Sequence, residues 1–299
     1  MKAGNLVQLD ENVYYFSDGI NLGIVRTSET ECAVIDTGMD DDSAMRLLAA
    51  SEALGLEISA IINTHAHADH FGGNDYLIKK TSPKVYAPAL ESAVMANPYI
   101  EPLFLFGANP IPELTGRSLM AKRSTPDFIV SDGELKIGDR ELTIVSLPGH
   151  SPNHIGVVSE AVCFTGDALA AEEAWRKHVV LYVADVGKAL GSLERLRTVG
   201  AREFVPAHAD PTSDISDLID FNVAKMQEIA DCILHILSVP TTAEEVLKIV
   251  ADRHGLAITT AQQYYLTYSA IKAYLTYLAD RELVRYYLNE NRLFWEATE

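Results

Sequence analysis

His65-Ala66-His67-Ala68-Asp69-His70 sets three imidazoles and a carboxylate within six residues, straight after the apolar run Ile58-Ser59-Ala60-Ile61-Ile62. Crowding so many donor groups is unfavourable unless a metal ion gathers them, and imidazole with carboxylate is a donor set for divalent cations. A lone histidine on an apolar face is more often a satisfied core residue, but a cluster this dense is a different case. In an extended stretch alternate side chains share a face. His65, His67 and Asp69 are therefore expected to converge while His70 turns toward a neighbouring site, so that one short loop serves two ions.

Three more ligand-type residues stand at the ends of predicted strands. They are His150 in Leu147-Pro148-Gly149-His150-Ser151-Pro152, Asp167 in Phe164-Thr165-Gly166-Asp167, and His208 in Val205-Pro206-Ala207-His208. Each alone reads as a loop or cap residue. With the cluster they supply five histidines and two carboxylates, enough for two metals sharing one carboxylate. Asp36, in the turn Asp36-Thr37-Gly38, either caps the helix that follows or supports a ligand from behind.

Around these residues the pattern alternates between strands and helices. Strands are expected at 13–16, 21–26, 32–35, 58–63 and 85–86, with helices at 43–54, 71–80 and 88–96. In residues 97–126, Pro98, Pro102, Pro110 and Pro112 punctuate an apolar, aromatic stretch, which reads as a lid over the site or as an oligomer contact, such as that of a homodimer. Further strands follow at 128–130, 134–137, 141–147, 155–158 and 161–164, then a helix at 188–199 and a strand at 203–205. Two such halves imply two sheets packed face to face with helices outside. From residue 213 the chain is helical to about 237. Thr241-Thr242-Ala243-Glu244 has the form of a capping box, a further helix opens at Thr259-Thr260, and 282–287 with 292–295 reads as a hairpin. That order looks like a winged helix. The expected division is 1–212, a connecting helix at 213–239, and a small second domain at 240–299.

The chain has 299 residues, 48% hydrophobic and 22% charged, with a net charge of −18. Such acidity argues against the electrostatic grip on which polyanion binding relies. The start, Met1-Lys2-Ala3-Gly4-Asn5, lacks a long apolar segment, so no signal peptide is expected, and no run is long enough to span a bilayer. Cys32, Cys163 and Cys232 are few and scattered, and read as buried thiols of a reducing, cytoplasmic setting. In the C-terminal segment the expected recognition helix carries one basic residue, Lys272, beside a stripe of tyrosines including Tyr264, Tyr265 and Tyr268. Nucleic-acid readers bring several cations to phosphate, so nucleic acid is not the expected partner.

His-x-His-x-Asp-His followed by Gly72-Gly73, then Pro148-Gly149-His150-Ser151-Pro152, Gly166-Asp167 and a late His208, resembles the metallo-β-lactamase superfamily over roughly residues 5–210. The resemblance implies an α+β fold, a four-layer αββα sandwich, to which the small helical, winged-helix-like unit read from the element order is appended. It implies two divalent ions, zinc foremost and iron or manganese as alternatives. His65, His67 and His150 would hold the first, Asp69, His70 and His208 the second, and Asp167 would bridge them. His154 is read as structural. A bridging aspartate is like the glyoxalase II, lactonase and nuclease branches, whereas many true β-lactamases of this fold carry Cys or Ser there. His67, in place of the Glu of flavodiiron oxidoreductases, favours a hydrolase.

The implied chemistry is attack by a metal-bridging hydroxide on a small ester, thioester or lactone. Asp69 would ligate and move protons. Tyr182, in Val180-Leu181-Tyr182-Val183, is either a substrate hydrogen-bond donor or a core aromatic on a strand. The alternatives are an RNA-processing or nucleic-acid-binding member of the superfamily, and a mononuclear iron dioxygenase of the persulfide type.

Overall fold

The computed structural model describes residues 5–298, so Met1 to Gly4, on which the expectation about a signal peptide mostly rests, lie outside the described residues. The first sheet contains β1 (Asn5–Asp10), β2 (Val13–Ser17), β3 (Asn21–Arg26), β4 (Glu31–Ile35), β5 (Glu57–Ile62), β6 (Lys84–Pro88) and β7 (Phe128–Val130), in that spatial order. β1 to β4 pair antiparallel. β4 to β7 pair parallel, which requires crossovers. These run through α1 (Asp41–Ala53), α2 (Ala68–Phe71), α3 (Asn74–Thr81), α4 (Ala89–Ala96) and α5 (Ile100–Phe106). The second sheet is built from β8 (Gly133–Ile137), β9 (Arg140–Ser146), β10 (Ile155–Ser159), β11 (Val162–Gly166) and β12 (Glu203–Pro206). Its spatial order is β12-β11-β10-β9-β8. The one parallel pair, β11 with β12, is joined through α6 (Glu172–His178) and α7 (Val186–Leu196).

Alternation along the strands sorts side chains between two interfaces. Val25, Ile35 and Ile62 of the first sheet share an apolar cluster with Leu142, Val157 and Phe164 of the second. Leu22, Ile24 and Val34 point the other way, onto Leu47, Leu77 and Met95 of the helices. The second sheet turns Val145 and Cys163 toward Val186, Leu193 and the C-terminal helices. Helix, sheet, sheet, helix is the expected four-layer sandwich.

The C-terminal part consists of α8 (Ser216–Ile236), α9 (Ala243–His254), α10 (Ala261–Asp280) and the hairpin β13 (Val284–Asn289) with β14 (Arg292–Ala297). Ile233, Val246, Ile271 and Leu275 belong to the same apolar cluster as Leu193 and Phe204, so these helices close over the outer face of the second sheet.

Several expectations are corrected. The capping box is Thr242 with Glu245, one residue later than the spacing suggested. Thr241 is occupied instead in a backbone bridge to Trp295, which delays the helix start. Residues 97–126 hold α5 and a 3-10 turn at Pro112–Leu114. There Leu105, Leu114 and Leu119 pack against Tyr182, Tyr265 and Leu266. Tyr182 lies in irregular chain after α6, not on a strand. Cys32 and Cys163 are buried, and burial pushes both thiols up to about 12. Cys232 is only half-buried, within reach of the Arg253 guanidinium on α9.

Candidate metal centre

Each residue singled out as a ligand sits just beyond the C-terminal end of a strand: the 65–70 cluster after β5, His150 after β9, Asp167 after β11 and His208 after β12. β5 and β11 lie within their sheets, so their ends are held from both sides. The cluster is not extended throughout. His67 keeps extended backbone and caps a helical turn, Ala68–Phe71, that carries Asp69 and His70. The turn breaks the alternation after His67, and Asp69 is thereby grouped with His70 rather than with His65 and His67. Gly72 and Gly73 let this turn press against the backbone after β4. A Cβ on Gly72 would stand 1.9 Å from the Met39 carbonyl oxygen, and one on Gly73 2.5 Å from that of Thr37.

Two groups of donors result, the atoms of each lying within 4.8 Å of one another. In the first, His67 Nδ1 is 3.0 Å from His65 Nε2 and 2.9 Å from His150 Nε2. Nitrogens about 2 Å from one tetrahedral zinc would stand at similar spacing. In the second, His208 Nε2 is 3.2 Å from Asp69 Oδ2, and His70 Nε2 is 3.8 Å from that same oxygen. Asp167 stands between them. Its Oδ2 lies 3.4 Å from His150 Nε2, while its Oδ1 lies 3.3 Å from His70 Nε2 and 3.6 Å from His208 Nε2.

A hydrogen-bond chain behind the site assigns which ring nitrogens face it. The Asp36 carboxylate accepts from the Thr64 backbone N–H (2.8 Å) and from Thr64 Oγ1–H (2.8 Å). With its proton so used, Thr64 Oγ1 accepts from His65 Nδ1–H at 3.0 Å, and Asp36 Oδ2 accepts from His70 Nδ1–H at 2.7 Å. Both rings therefore turn a lone pair at Nε2 inward. His70 Nε2 and Asp167 Oδ1 are buried and have no hydrogen-bond partner among the described residues. Buried polar atoms without partners are costly, and a cation between this lone pair and this carboxylate oxygen satisfies both. The residues fit a metal pair.

The electrostatics of the two groups differ. Burial, reinforced by neighbouring imidazoles, holds His65 well below its usual range and His67 at about 3, so both rings are neutral at pH 7. Burial also lowers His150. The other group is rich in carboxylates. Burial opposes charge on His70, yet Asp167, Asp36 and Asp69 outweigh it and lift the imidazole well above its usual range. Burial likewise raises Asp69, but His70 and His208 bring it down to about 2. This half of the site demands positive charge, from protons or from a cation that displaces them.

Among the remaining residues, His154 is fully buried, with its Nε2 accepting from the Asp167 N–H at 3.0 Å, so it holds the Asp167 loop from behind. Tyr182 is half-buried, its ring centroid 5.5 Å from that of His67 and 5.8 Å from that of His150. Two further residues were not singled out. Glu91 on α4 accepts from the Ala66 N–H, Ser151 Oγ–H and Asn153 N–H, tying the cluster to the His150 loop. Glu101 on α5 brings its carboxylate to 3.8 Å from His67 Nε2. For Glu91 the available signal was a single acid among the apolar residues of 88–96. For Glu101 there was none.

The centre opens on a cavity of about 890 Å³ that reaches from Asp69, His150, Asp167 and His208 to α8 and α10.

The profile of the metallo-beta-lactamase superfamily matches residues 17–208. Among curated relatives, the hydroxyacylglutathione hydrolase of Methylobacillus flagellatus is 29% identical over 158 residues, 53% of this chain and 51% of that protein. That of Vibrio cholerae is 27% identical over 191 residues, 62% of each. The chain thus spans half to three-fifths of the length of these relatives. Among solved structures, a metallo-beta-lactamase family protein from Thermus thermophilus superposes with a TM-score of 0.73 at 22% identity, covering 93% of this chain and 94% of that one. A beta-lactamase domain protein from Burkholderia ambifaria gives 0.73 at 18% identity, covering 99% and 94%. These likenesses in fold extend past residue 208 into the C-terminal helices.

Proposed function

The chain belongs to the metallo-β-lactamase superfamily, and we propose that within it the protein is a dinuclear metal-dependent hydrolase of small thioesters, with esters and lactones as related substrates. The observation that carries this reading is the Asp167 carboxylate, one oxygen toward each donor group. The thioester is favoured because the relatives are named for hydrolysing one.

In this reading His65, His67 and His150 would hold one divalent cation, Asp69, His70 and His208 would hold the other, and Asp167 would serve both. Zinc suits the nitrogen-rich set. A cation pair there supplies a water acidified to near neutrality and an electrophilic contact for a carbonyl oxygen. The chain's own groups do the rest. Asp36 and Thr64 fix the ring orientations of His65 and His70. Asp69, a carboxylate at neutral pH, accepts a hydrogen bond from the attacking water and relays its proton toward the leaving sulfur. Tyr182, beside His67 and His150 at the cavity wall, would donate a hydrogen bond to substrate in this reading. Glu91 keeps the two ligand loops in register.

We further read residues 1–212 as the metal-bearing unit, 213–239 as a connecting helix, and 240–299 as a winged-helix-like unit that walls the cavity. Gln262, Gln263 and Leu266 line it. The test is hydrolysis of a thioester panel by the purified chain before and after chelation, and by His67→Ala. Loss of turnover in both, restored by zinc only in the wild type, is expected. Turnover that survives chelation would defeat the proposal.

A further inference from the structure

We infer that the acyl half of the substrate is an apolar, straight-chain group of medium length, housed in the part of the cavity between α6, α8 and α10. This deepens the thioesterase reading and rests on it. The cavity of about 890 Å³ lies at the upper end of the roughly 300–1,000 Å³ usual for ligand sites. An acyl group of two or three carbons at the metal centre would leave most of it unfilled.

Its inner wall is apolar. Leu169 and Val180 flank the segment after Asp167, Trp175 comes from α6, Met226 from α8, and Leu266 and Tyr274 from α10. All but Leu266 are buried. Three polar residues on this wall, Asn222, Ser192 and Thr267, spend their hydrogens on the protein itself. Asn222 donates to the Ala170 and Leu218 carbonyl oxygens and accepts from the Ala170 N–H and Trp175 Nε1–H. Ser192 donates to the Pro148 carbonyl oxygen, and Thr267 to that of Gln263. A hydrocarbon chain asks nothing of such a wall and gains from leaving water.

Charge points the same way. Lys177 and His178 are the basic side chains on the lining outside the metal centre, and Glu173 sits beside them. A thiol carrier with several carboxylates, as in the glutathione thioesters of the named relatives, finds little cationic surface here. In the reaction the acyl carbon–sulfur bond breaks and a carbon–oxygen bond to water forms. The sulfur leaves with one proton of water as the thiol, and the carboxylic acid loses the other to solvent as the carboxylate.

The test compares straight-chain N-acetylcysteamine thioesters from acetyl to decanoyl with a 2-hydroxyacyl thioester of glutathione, using the full chain loaded with zinc. Each added methylene should raise kcat/KM about three- to fourfold until the cavity is filled, giving octanoyl an advantage over acetyl of at least about a hundredfold. Ala174→Phe, on the α6 part of the lining, should cut that octanoyl-to-acetyl ratio at least tenfold. Decanoate alone should quench Trp175 fluorescence saturably. Acetyl and octanoyl rates within threefold of each other, or preference for the glutathione thioester, would overturn the inference and leave the hydrolase reading standing. Saturable quenching without hydrolysis of any thioester would support the apolar cavity and overturn the hydrolase reading.

Discussion

His70 Nδ1 lies 2.7 Å from Asp36 Oδ2, both residues being out of solvent. That contact fixes which nitrogen His70 presents to the centre, and through Thr64 the same carboxylate does so for His65. One side chain thus orients a donor in each group. Asp36 does this from a left-handed backbone conformation, φ 59°, that aspartate and asparagine tolerate better than most residues.

Asp36→Asn keeps the size and the backbone preference and removes the charge. Its affinity for metal at the His70 group should fall about 10- to 100-fold while the fold persists. Competition with a fluorescent chelator, alongside circular dichroism, measures both. Unchanged affinity would mean that Asp36 serves only the turn.

Gly72→Ala tests how tightly the cluster's helical turn is pressed to the backbone after β4. The added Cβ meets the Met39 carbonyl oxygen at 1.9 Å, so the turn must shift. A loss of about 2–4 kcal/mol is expected in denaturant unfolding. Gly116→Ala, where a Cβ meets nothing within 4 Å, should stay within about 0.5 kcal/mol of wild type.

Glu101 supplies a pH signature in the metal-free protein. Burial, with Glu91 nearby, raises its carboxyl from 4.5 to about 7. Between those values the folded chain keeps a proton that the unfolded chain has released, so stability falls as pH rises through that window and stays lower above it. With the side chain 13% exposed, the loss is on the order of 2–3 kcal/mol. Glu101→Gln should remove it, so urea unfolding at pH 4.5 and pH 8 should differ less in the variant than in wild type. Identical pH profiles would show that Glu101 ionises as it does in water.

The fold and the candidate metal centre were legible because their chemistry is concentrated in the primary structure. Alternating apolar strands specify two sheets, and His65 to His70, His150, Asp167 and His208 each stand at a strand end. What the sequence hid depends on packing. Extended alternation placed Asp69 with His65 and His67, because nothing local announced that Ala68 begins a helical turn. Glu91 acquires its role only when α4 meets the 150–154 loop, and Glu101 only when α5 folds over His67. The cavity wall combines residues more than fifty positions apart, such as Trp175 and Tyr274, and no local pattern joins them.

Counting metal is the most direct test of the central claim that Asp167 joins two cation sites. Elemental mass spectrometry on the purified chain should find about two equivalents of divalent metal, falling to about one in Asp167→Asn, with thioester turnover lost. A single equivalent in the wild type that Asp167→Asn leaves unchanged, above all one iron with oxygen consumption, would contradict it.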